Sequence, residues 1–200
     1  MAKRLFDLIF TIPGLVLLSP VFLLAAVWIR IDSPGPVFFR QERVGRKGCV
    51  FRIHKFRTMA VDAERQGLQI TVGTDRRVTR SGAFLRKYKL DELPQLIDVL
   101  LGDMSLVGPR PEVPRYVAAY PIEVKDLVLS VRPGITDRAS IEFKDEDAIL
   151  GRALNPETAY VQEILPVKLT YYVEYAKNHT LLSDFGLILK TLAAIVGRRA

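Results

Sequence analysis

A long stretch without charge stands out at the start of the chain. Residues 8–29 are 22 consecutive uncharged positions, just long enough to cross a bilayer as a helix. Basic residues flank both ends, which gives a straight spanning helix no clean orientation. We therefore prefer a re-entrant hairpin over residues 1–31, in which a helix enters one leaflet, breaks at Ser19 and Pro20 and returns to the same face. The Ser19 hydroxyl can help satisfy the carbonyl that Pro20 frees.

The same apolar run also allows two alternatives, a straight spanning helix and a cleaved signal peptide. A straight spanning helix has sufficient length. A cleaved signal peptide fits less well, because the apolar run is longer than the hydrophobic part of such a leader and no cleavage segment follows it.

Short strands and a central helix are predicted after the turn-forming residues DSPGP at 32–36. The segments VFF at 37–39 and VFRI at 50–53 predict a β-hairpin closed through GRKG at 45–48. Residues 55–59 extend its second strand and place Lys55 and Arg57 on one face. Apolar residues at i, i+3, i+4, i+7 and i+8 from Leu93 predict a helix with one apolar face. We expect it to begin at Asp91, since Asp is favourable at an N-cap and Pro94 in a first turn.

The C-terminal third is predicted to be helical after an acidic loop at residues 140–155. A helical pattern over 158–177 is bent at Pro166. Residues 182–196 carry apolar side chains on one side of a last helix that ends in Arg198 and Arg199, and this helix could lie on a membrane surface or pack into the core. The chain is thus predicted to be α/β and mostly helical, with the re-entrant helix at 1–31 and one globular domain at 32–200.

Composition narrows the classes of partner. The net charge of +7 and the pI near 9.6 indicate an anionic partner, and nucleic acid, acidic lipid and phosphorylated small molecules all qualify. No nucleic-acid-binding motif supports the first of these. The single cysteine, Cys49, excludes an internal disulfide and a cysteine zinc site, and a reducing compartment fits.

The candidate for chemistry is the adjacent carboxylate pair Asp91 and Glu92, which we name the dyad. A purely structural interpretation has Asp91 capping the helix and Glu92 favouring its dipole. The chemical interpretation rests on Arg86 and two lysines just upstream, in a position where a helix N-terminus already attracts anions. Carboxylates in such a field should stay ionised, as a nucleophile or a Mg²⁺ ligand requires. Arg110 and Arg132 lie on proline-stiffened loops, which pre-organises them for phosphate.

Several motifs identify a resemblance to a known family. They run from residue 2 to about residue 136, in the order KRLFD (3–7), LSP (18–20), DSPGPVFF (32–39), KFRTM (55–59), LDELPQ (90–95), GDMSL (102–106) and GPRP (108–111). Together they resemble the bacterial sugar transferases, the monotopic phosphoglycosyl transferases, in a minimal catalytic form. The resemblance implies a re-entrant anchor in the bacterial inner (cytoplasmic) membrane, interfacial amphipathic helices and a catalytic domain facing the cytoplasm.

The resemblance also implies a reaction. A phosphosugar passes from a UDP-sugar to polyprenyl (undecaprenyl) phosphate: Asp91 attacks the β-phosphorus, UMP leaves, and the lipid phosphate takes the phosphosugar. Glu92, with Asp91, would hold Mg²⁺. Membrane lipid and later glycosyltransferases are the further partners implied. The cations expected at substrate phosphates are Lys55, Arg57, Arg86, Arg110 and Arg132, those expected at the lipid headgroup are Lys3 and Arg4, and Asp184 is a weaker site candidate.

Other functions compete with this interpretation. The chain could be a non-catalytic, membrane-anchored module that binds nucleotides or anionic lipid, or a metal-dependent diphosphatase in which water replaces the lipid phosphate. A nucleic-acid-binding protein is suggested by charge alone. The sequence departs from the family pattern at Pro13, Arg76 and residues 136–140, which leaves the hairpin shape and the sugar open, as are polyprenol length, pathway and oligomeric state.

Overall fold

The computed structural model describes residues 1–61, 75–143 and 146–196. Its helices are α1 (Ala2–Asp32), α2 (Arg80–Lys87), α3 (Gln95–Leu101), α4 (Pro114–Val117), α5 (Ile122–Val128), α6 (Arg138–Glu142), α7 (Glu146–Leu150), α8 (Pro156–Ala159), α9 (Leu165–Asn178) and α10 (Leu181–Val196). The strands are β1 (Phe38–Val44), β2 (Val50–Phe56), β3 (Ser105–Val107) and β4 (Gly134–Thr136). The described chain is therefore mostly helical, as predicted, with two small sheets.

The first helix is continuous through the predicted break. Pro20 lies inside α1, and the hydroxyl of Ser19 donates to the carbonyl of Val16 at 2.8 Å. That carbonyl is the one that Pro20, four residues later, leaves without an amide partner, so the predicted role of Ser19 is confirmed. The re-entrant path itself stays a prediction, because no interruption of the helix separates the two halves.

Both ends of α1 pack against the globular body, while one side of its middle faces away from it. Near the N-terminus, Asp7 is 1% exposed, and near the C-terminus Ile29 is fully buried. Between them, Leu17 is 79% exposed and Leu24 is 70% exposed. A helix this long and apolar is able to cross a membrane by length and composition, yet here it is fastened to one body at both ends.

The predicted hairpin is confirmed, and a second sheet appears that the pattern did not predict. Strands β1 and β2 pair antiparallel from Phe38 opposite Phe56 to Val44 opposite Val50. Strands β3 and β4 pair in parallel over three residues each, too short for an alternating pattern to be recognised. Gly134 allows this pairing, since a Cβ there would lie 2.0 Å from the amide nitrogen of Gly108.

The apolar face predicted for the central helix is not its buried face. In α3 the buried residues are Gln95, Asp98 and Val99, whereas Leu100 is 41% and Leu101 66% exposed. Asp98 faces inward beside Val99, and its carboxylate accepts a hydrogen bond from the backbone N–H of His54, at 2.8 Å. The leucines are thereby left on the outer surface.

Two predictions for the C-terminal third are corrected. The acidic region predicted as a loop contains α6 and α7, since Asp137 caps α6 by accepting from the Ser140 amide at 3.0 Å. Lys168 holds Glu146 of α7 at 2.5 Å. The bend predicted at Pro166 is replaced by a π-helix, Tyr160–Ile164, and Pro166 lies in the first turn of α9, where it needs no amide donor. Arg198 and Arg199 lie outside the described residues.

The largest hydrophobic core is formed mainly by the second half of the chain. It joins β1, α4, α5, α9 and the π-helix through residues such as Val44, Tyr116, Tyr160 and Tyr172. A smaller cluster of Ala25, Ile29, Phe56 and Leu85 attaches α1 to β2 and α2. These two cores hold the segments that carry the dyad and its cations.

Candidate active site

A sharp reversal of the chain presents the dyad. Lys89 adopts a left-handed conformation with φ of 56°, a 3-10 turn covers Leu90–Glu92, and α3 starts only at Gln95. Neither the turn nor α3 has a side-chain cap. The interpretation that Asp91 caps the helix is therefore wrong, because Asp91 lies four residues before the first residue of α3.

Glu92 is clamped by two cations from distant segments. Its Oε1 lies 3.0 Å from Nζ of Lys55 on β2, and its Oε2 lies 3.2 Å from Nη1 of Arg110. The second Arg110 nitrogen, Nη2, also donates to Oε1. Burial opposes ionisation, but Arg110 and Lys55 outweigh it and hold the pKa of Glu92 well below its usual range. Glu92 in turn raises the pKa of Arg110.

The environment of Asp91 differs from that of Glu92 in hydrogen bonding and in the direction of the pKa shift. Its Oδ1 is buried and has no hydrogen-bond partner among the described residues. Burial and the neighbouring charge of Glu92 raise the pKa of Asp91, against the opposing effect of Lys55, Lys89 and Arg86. The sequence predicted that the surrounding cations keep both carboxylates ionised. In the structure, Glu92 is ionised and paired with two cations, whereas Asp91 has a raised pKa and one oxygen without a hydrogen-bond partner among the described residues.

Three of the five predicted phosphate-binding cations lie at the dyad. Lys55 and Arg110 pair with Glu92, and Arg86, whose Nε donates to the Thr58 hydroxyl at 2.8 Å, acts on the charge of Asp91. This places Arg86 at the Asp91 side of the site.

The other two predicted cations, Arg57 and Arg132, donate hydrogen bonds to backbone carbonyls. Arg57 is 4% exposed and donates to the carbonyls of Pro34 and Ser33, the latter at 2.8 Å. Arg132 donates to the carbonyl of Gly102 at 2.8 Å. The alternation that placed Arg57 beside Lys55 does not apply, because β2 ends one residue earlier, at Phe56.

Lys3 and Arg4, predicted at lipid headgroups, have protein partners in the structure. Lys3 Nζ lies 2.8 Å from Asp184 and 3.3 Å from Asp7. Arg4 donates to the carbonyls of Val99 and Leu100, the second at 2.9 Å. These contacts fasten the N-terminus of α1 to α10 and α3, so Asp184 has a structural role there.

Arg43 and Glu112 are charged groups near the dyad that sequence reasoning did not select. Arg43 donates to the carbonyl of Pro111 at 3.0 Å, lies 3.9 Å from Glu112, and has its pKa lowered by burial. Glu112 accepts a 2.5 Å hydrogen bond from the hydroxyl of Tyr160. The position of Glu112 directly after GPRP is the one sequence signal that could have pointed to it.

An apolar cavity of about 300 Å³ opens next to the dyad. Its charged end is formed by Lys89, Glu92 and Arg110. Most of the remaining wall is apolar, with contributions from α1, α3, the two short strands and α10: Phe10, Leu96, Leu106, Ile135, Ile188 and Leu192. The sequence could not predict the cavity, because it assembles segments from both ends of the chain.

The fold and the site combine two features: cations gathered at the dyad, and a long apolar helix with an exposed face. Fixed cations around a half-buried carboxylate pair suit phosphate chemistry, and a long apolar helix with an exposed face suits a lipid surface. Comparison with known protein families identifies the family to which the chain belongs. The chain belongs to the bacterial sugar transferase family, whose model matches residues 1–198.

Curated relatives carry names that agree with this family. A protein of Aeromonas hydrophila, 38% identical over 97% of this chain, is named a UDP-N-acetylgalactosamine-undecaprenyl-phosphate N-acetylgalactosaminephosphotransferase. One of Escherichia coli, 41% identical over 95% of the chain, is a UDP-glucose:undecaprenyl-phosphate glucose-1-phosphate transferase. One of Bacillus subtilis, 42% identical over 68% of the chain, is a putative undecaprenyl-phosphate N-acetylgalactosaminyl 1-phosphate transferase. The chain spans 43%, 39% and 72% of these three proteins, respectively.

Proposed function

We propose that this protein transfers a sugar-1-phosphate from a UDP-sugar to polyprenyl phosphate and releases UMP. The observation that carries the proposal is the asymmetry of the dyad. Glu92 is neutralised by Lys55 and Arg110, while Asp91 keeps a buried oxygen without a hydrogen-bond partner in the described parts of the chain. A carboxylate with an unengaged oxygen is suited to attack phosphorus.

The first step forms a covalent intermediate on Asp91. Its carboxylate oxygen attacks the β-phosphorus of the UDP-sugar, and a phosphorus–oxygen bond forms. The bond from that phosphorus to the oxygen bridging the two phosphates breaks, and this oxygen leaves with UMP, keeping the electron pair. Arg110, paired with Glu92, and Arg86, which acts on the charge of Asp91, would stabilise the negative charge on the transferring group.

The second step restores the enzyme. An oxygen of the lipid phosphate attacks the same phosphorus, the bond to Asp91 breaks, and the carboxylate recovers its charge. The product is a polyprenyl diphosphate sugar, which later glycosyltransferases would extend. A covalent nucleophile thereby replaces one difficult displacement by two easier ones.

The dyad also fits a magnesium ion shared with the substrate. Within residues 1–61, 75–143 and 146–196, no three metal-ligating side chains cluster into a site of their own. Mg²⁺ commonly takes only one or two carboxylates and completes its coordination with phosphate oxygens and water. Asp91, with its unpaired oxygen, would hold it, and Glu92 would join only by giving up a contact with Lys55 or Arg110. The ion would neutralise charge on the diphosphate.

We place the protein on the cytoplasmic face of the bacterial inner membrane, with α1 returning to the side it enters. Arg4 near one end of α1 donates to Leu100 of α3, and Asp32 at the other end accepts from the Ser81 amide of α2, at 2.9 and 2.8 Å. A helix that crossed the bilayer would carry one of these ends away from the body, about 46 Å from the other. Contacts at both ends favour a non-spanning arrangement.

The position of α1 is testable with one reporter cysteine. Cys49 is exposed on the body and serves as the reference in the unchanged protein. In a Cys49→Ser background, Ala2→Cys should react with a membrane-impermeant maleimide from the same side of sealed vesicles as Cys49 does. Reaction from opposite sides would show that α1 spans the membrane.

The proposed reaction is tested by intact-mass measurement. Purified protein in nanodiscs with Mg²⁺ is incubated with each of several UDP-sugars and no lipid acceptor, beside Asp91→Asn. We expect a mass gain of one phosphosugar with at least one donor, absent in the variant and without Mg²⁺, and discharged by polyprenyl phosphate. A panel is required because the relatives named above differ in sugar.

Other outcomes point to specific alternatives. UMP release that needs polyprenyl phosphate, without any adduct, would replace the covalent mechanism by direct transfer. UMP release without the lipid and without an adduct would identify a diphosphatase. Nucleotide binding with neither adduct nor release would leave a non-catalytic binding module.

A further inference from the structure

We infer that the apolar cavity between α1 and α10 binds the first isoprene units of the lipid acceptor, so that α10 is an acceptor-binding element. This inference rests on the proposed function and assigns one substrate to one part of the site. The cavity touches the dyad through Glu92 and Arg110, and Phe10 and Ile188 belong to its wall. The charged end of the cavity would bind the lipid phosphate, and its apolar walls would contact the prenyl chain.

The hydroxyl groups of the cavity do not serve a polar substrate. Three hydroxyl residues line it: Thr136, Ser140 and Thr191. The Thr136 and Thr191 hydroxyls bond to each other at 2.6 Å, and the Thr191 hydroxyl also donates to the carbonyl of Leu187. The Ser140 hydroxyl donates to Asp137 at 2.6 Å. Uracil, ribose and sugar groups would find few partners there and would lose their hydration, whereas a hydrocarbon chain would not.

The cavity is continuous with the surface that would contact lipid. Phe10 of α1 is 45% exposed, and on α10 Phe185, Leu189 and Leu192 are 41%, 51% and 54% exposed. The Phe10 and Phe185 rings lie 6.2 Å apart and join the two helices at this edge. A prenyl chain could therefore pass from the bilayer to the dyad without crossing water.

The wall formed by α10 is fixed in place. Asp184, fully buried, lies 2.8 Å from Nζ of Lys3 and accepts a 3.0 Å hydrogen bond from Tyr175. The Thr136–Thr191 hydrogen bond ties the same helix to β4. A volume of about 300 Å³ is at the lower end for small-molecule sites, so the cavity holds only the phosphate-proximal part of the chain.

Two adjacent alanines on α10 give a matched test. Ala194 lines the cavity, while Ala193 is exposed and does not line it. Ala194→Trp would fill the cavity, and Ala193→Trp adds the same bulk outside. Both variants are assayed in nanodiscs with a donor that the unchanged protein uses, against a long polyprenyl phosphate and a one-unit prenyl phosphate.

We expect Ala194→Trp to lower the ratio of kcat/KM for the long over the short acceptor at least tenfold, with Ala193→Trp within twofold of the unchanged protein. A ratio unchanged in Ala194→Trp, with normal expression and melting temperature, would refute the inference. So would a raised KM for the UDP-sugar with the acceptor KM unaltered, since the cavity would then belong to the donor.

A binding measurement separates this inference from the proposed reaction. A prenyl phosphate with a photoreactive group in its first units should crosslink to α10 residues, and Ala194→Trp should suppress the crosslink. Crosslinking without any turnover would refute the reaction and keep the site. Turnover with crosslinks confined to other segments would refute the site and keep the reaction.

Discussion

The different environments of the two dyad carboxylates predict opposite effects on stability when each loses its charge. Asp91→Asn removes a buried charge that lacks a hydrogen-bond partner on Oδ1 and that Glu92 repels. Asn has nearly the same shape, so the burial cost of the charge is relieved without creating a cavity. Glu92→Gln instead leaves Lys55 and Arg110 facing each other without the anion that pairs them.

The expected magnitudes follow from burial. Removing the buried charge of Asp91, whose pKa is raised by burial and by Glu92, should stabilise the protein by about 1 kcal/mol, within the usual range of single stabilising substitutions. Breaking a fully buried ion pair costs about 3–5 kcal/mol. Because Arg110 keeps 27% of its side chain exposed, we expect about 2–3 kcal/mol for Glu92→Gln. For a chain of this size the melting temperature changes by about 2–4 °C per kcal/mol.

The assay is scanning calorimetry or fluorimetry in one nanodisc preparation at a fixed scan rate, at pH 7.5 and pH 5. At pH 7.5 Asp91→Asn should melt at least about 2 °C higher than the unchanged protein, and Glu92→Gln at least about 4 °C lower. Activity should be lost in Asp91→Asn despite the higher melting temperature, as expected for an active-site charge held at the expense of stability.

The pH dependence of the melting temperature tests the direction of both stability effects. The raised pKa of Asp91 means that its destabilising charge is present above the folded-state pKa and is lost as the pH falls through it. The advantage of Asp91→Asn should therefore shrink at pH 5. The contribution of Glu92, whose pKa is lowered, is present above its unfolded value and is lost only below it. A lower melting temperature for Asp91→Asn at pH 7.5 would refute the reasoning.

Other substitutions separate positioning from chemistry. Arg110→Lys should lower kcat at least tenfold with little change in melting temperature, because one ammonium cannot reproduce a two-pronged pair with a carboxylate; equal kcat in a UMP-release assay would contradict this. Arg57→Ala should destabilise the protein by about 2 kcal/mol through lost carbonyl contacts, seen as a lower melting temperature, and a raised KM for the UDP-sugar would contradict its assignment to the backbone. Asp98→Ala should cost about 1–3 kcal/mol, since it leaves the His54 amide without its partner; Asp98→Asn, which can still accept that bond, should recover part of it in the same melting experiment.

Local sequence pattern and residue chemistry predicted several elements of the fold and the dyad of the candidate site. The apolar run predicted that the N-terminal segment is helical, though not that the helix is continuous through Ser19 and Pro20. Alternation and turn residues predicted the hairpin, and the Ser19–Pro20 step predicted which carbonyl needs a substitute donor. The motif order identified the family and selected the dyad. These features depend on neighbours in sequence, where backbone propensity and side-chain periodicity act directly.

Tertiary structure decided what each charged residue does. Arg57 and Lys55 have the same charge and nearly the same position, yet one holds carbonyls after α1 and the other holds Glu92. Likewise, Asp91 and Glu92 are adjacent but have opposite pKa shifts. Burial and partners from residues far away in sequence set these roles, and so does the apolar cavity that both ends of the chain enclose. No local pattern records such distances, because a charge acquires its energy from what surrounds it in space.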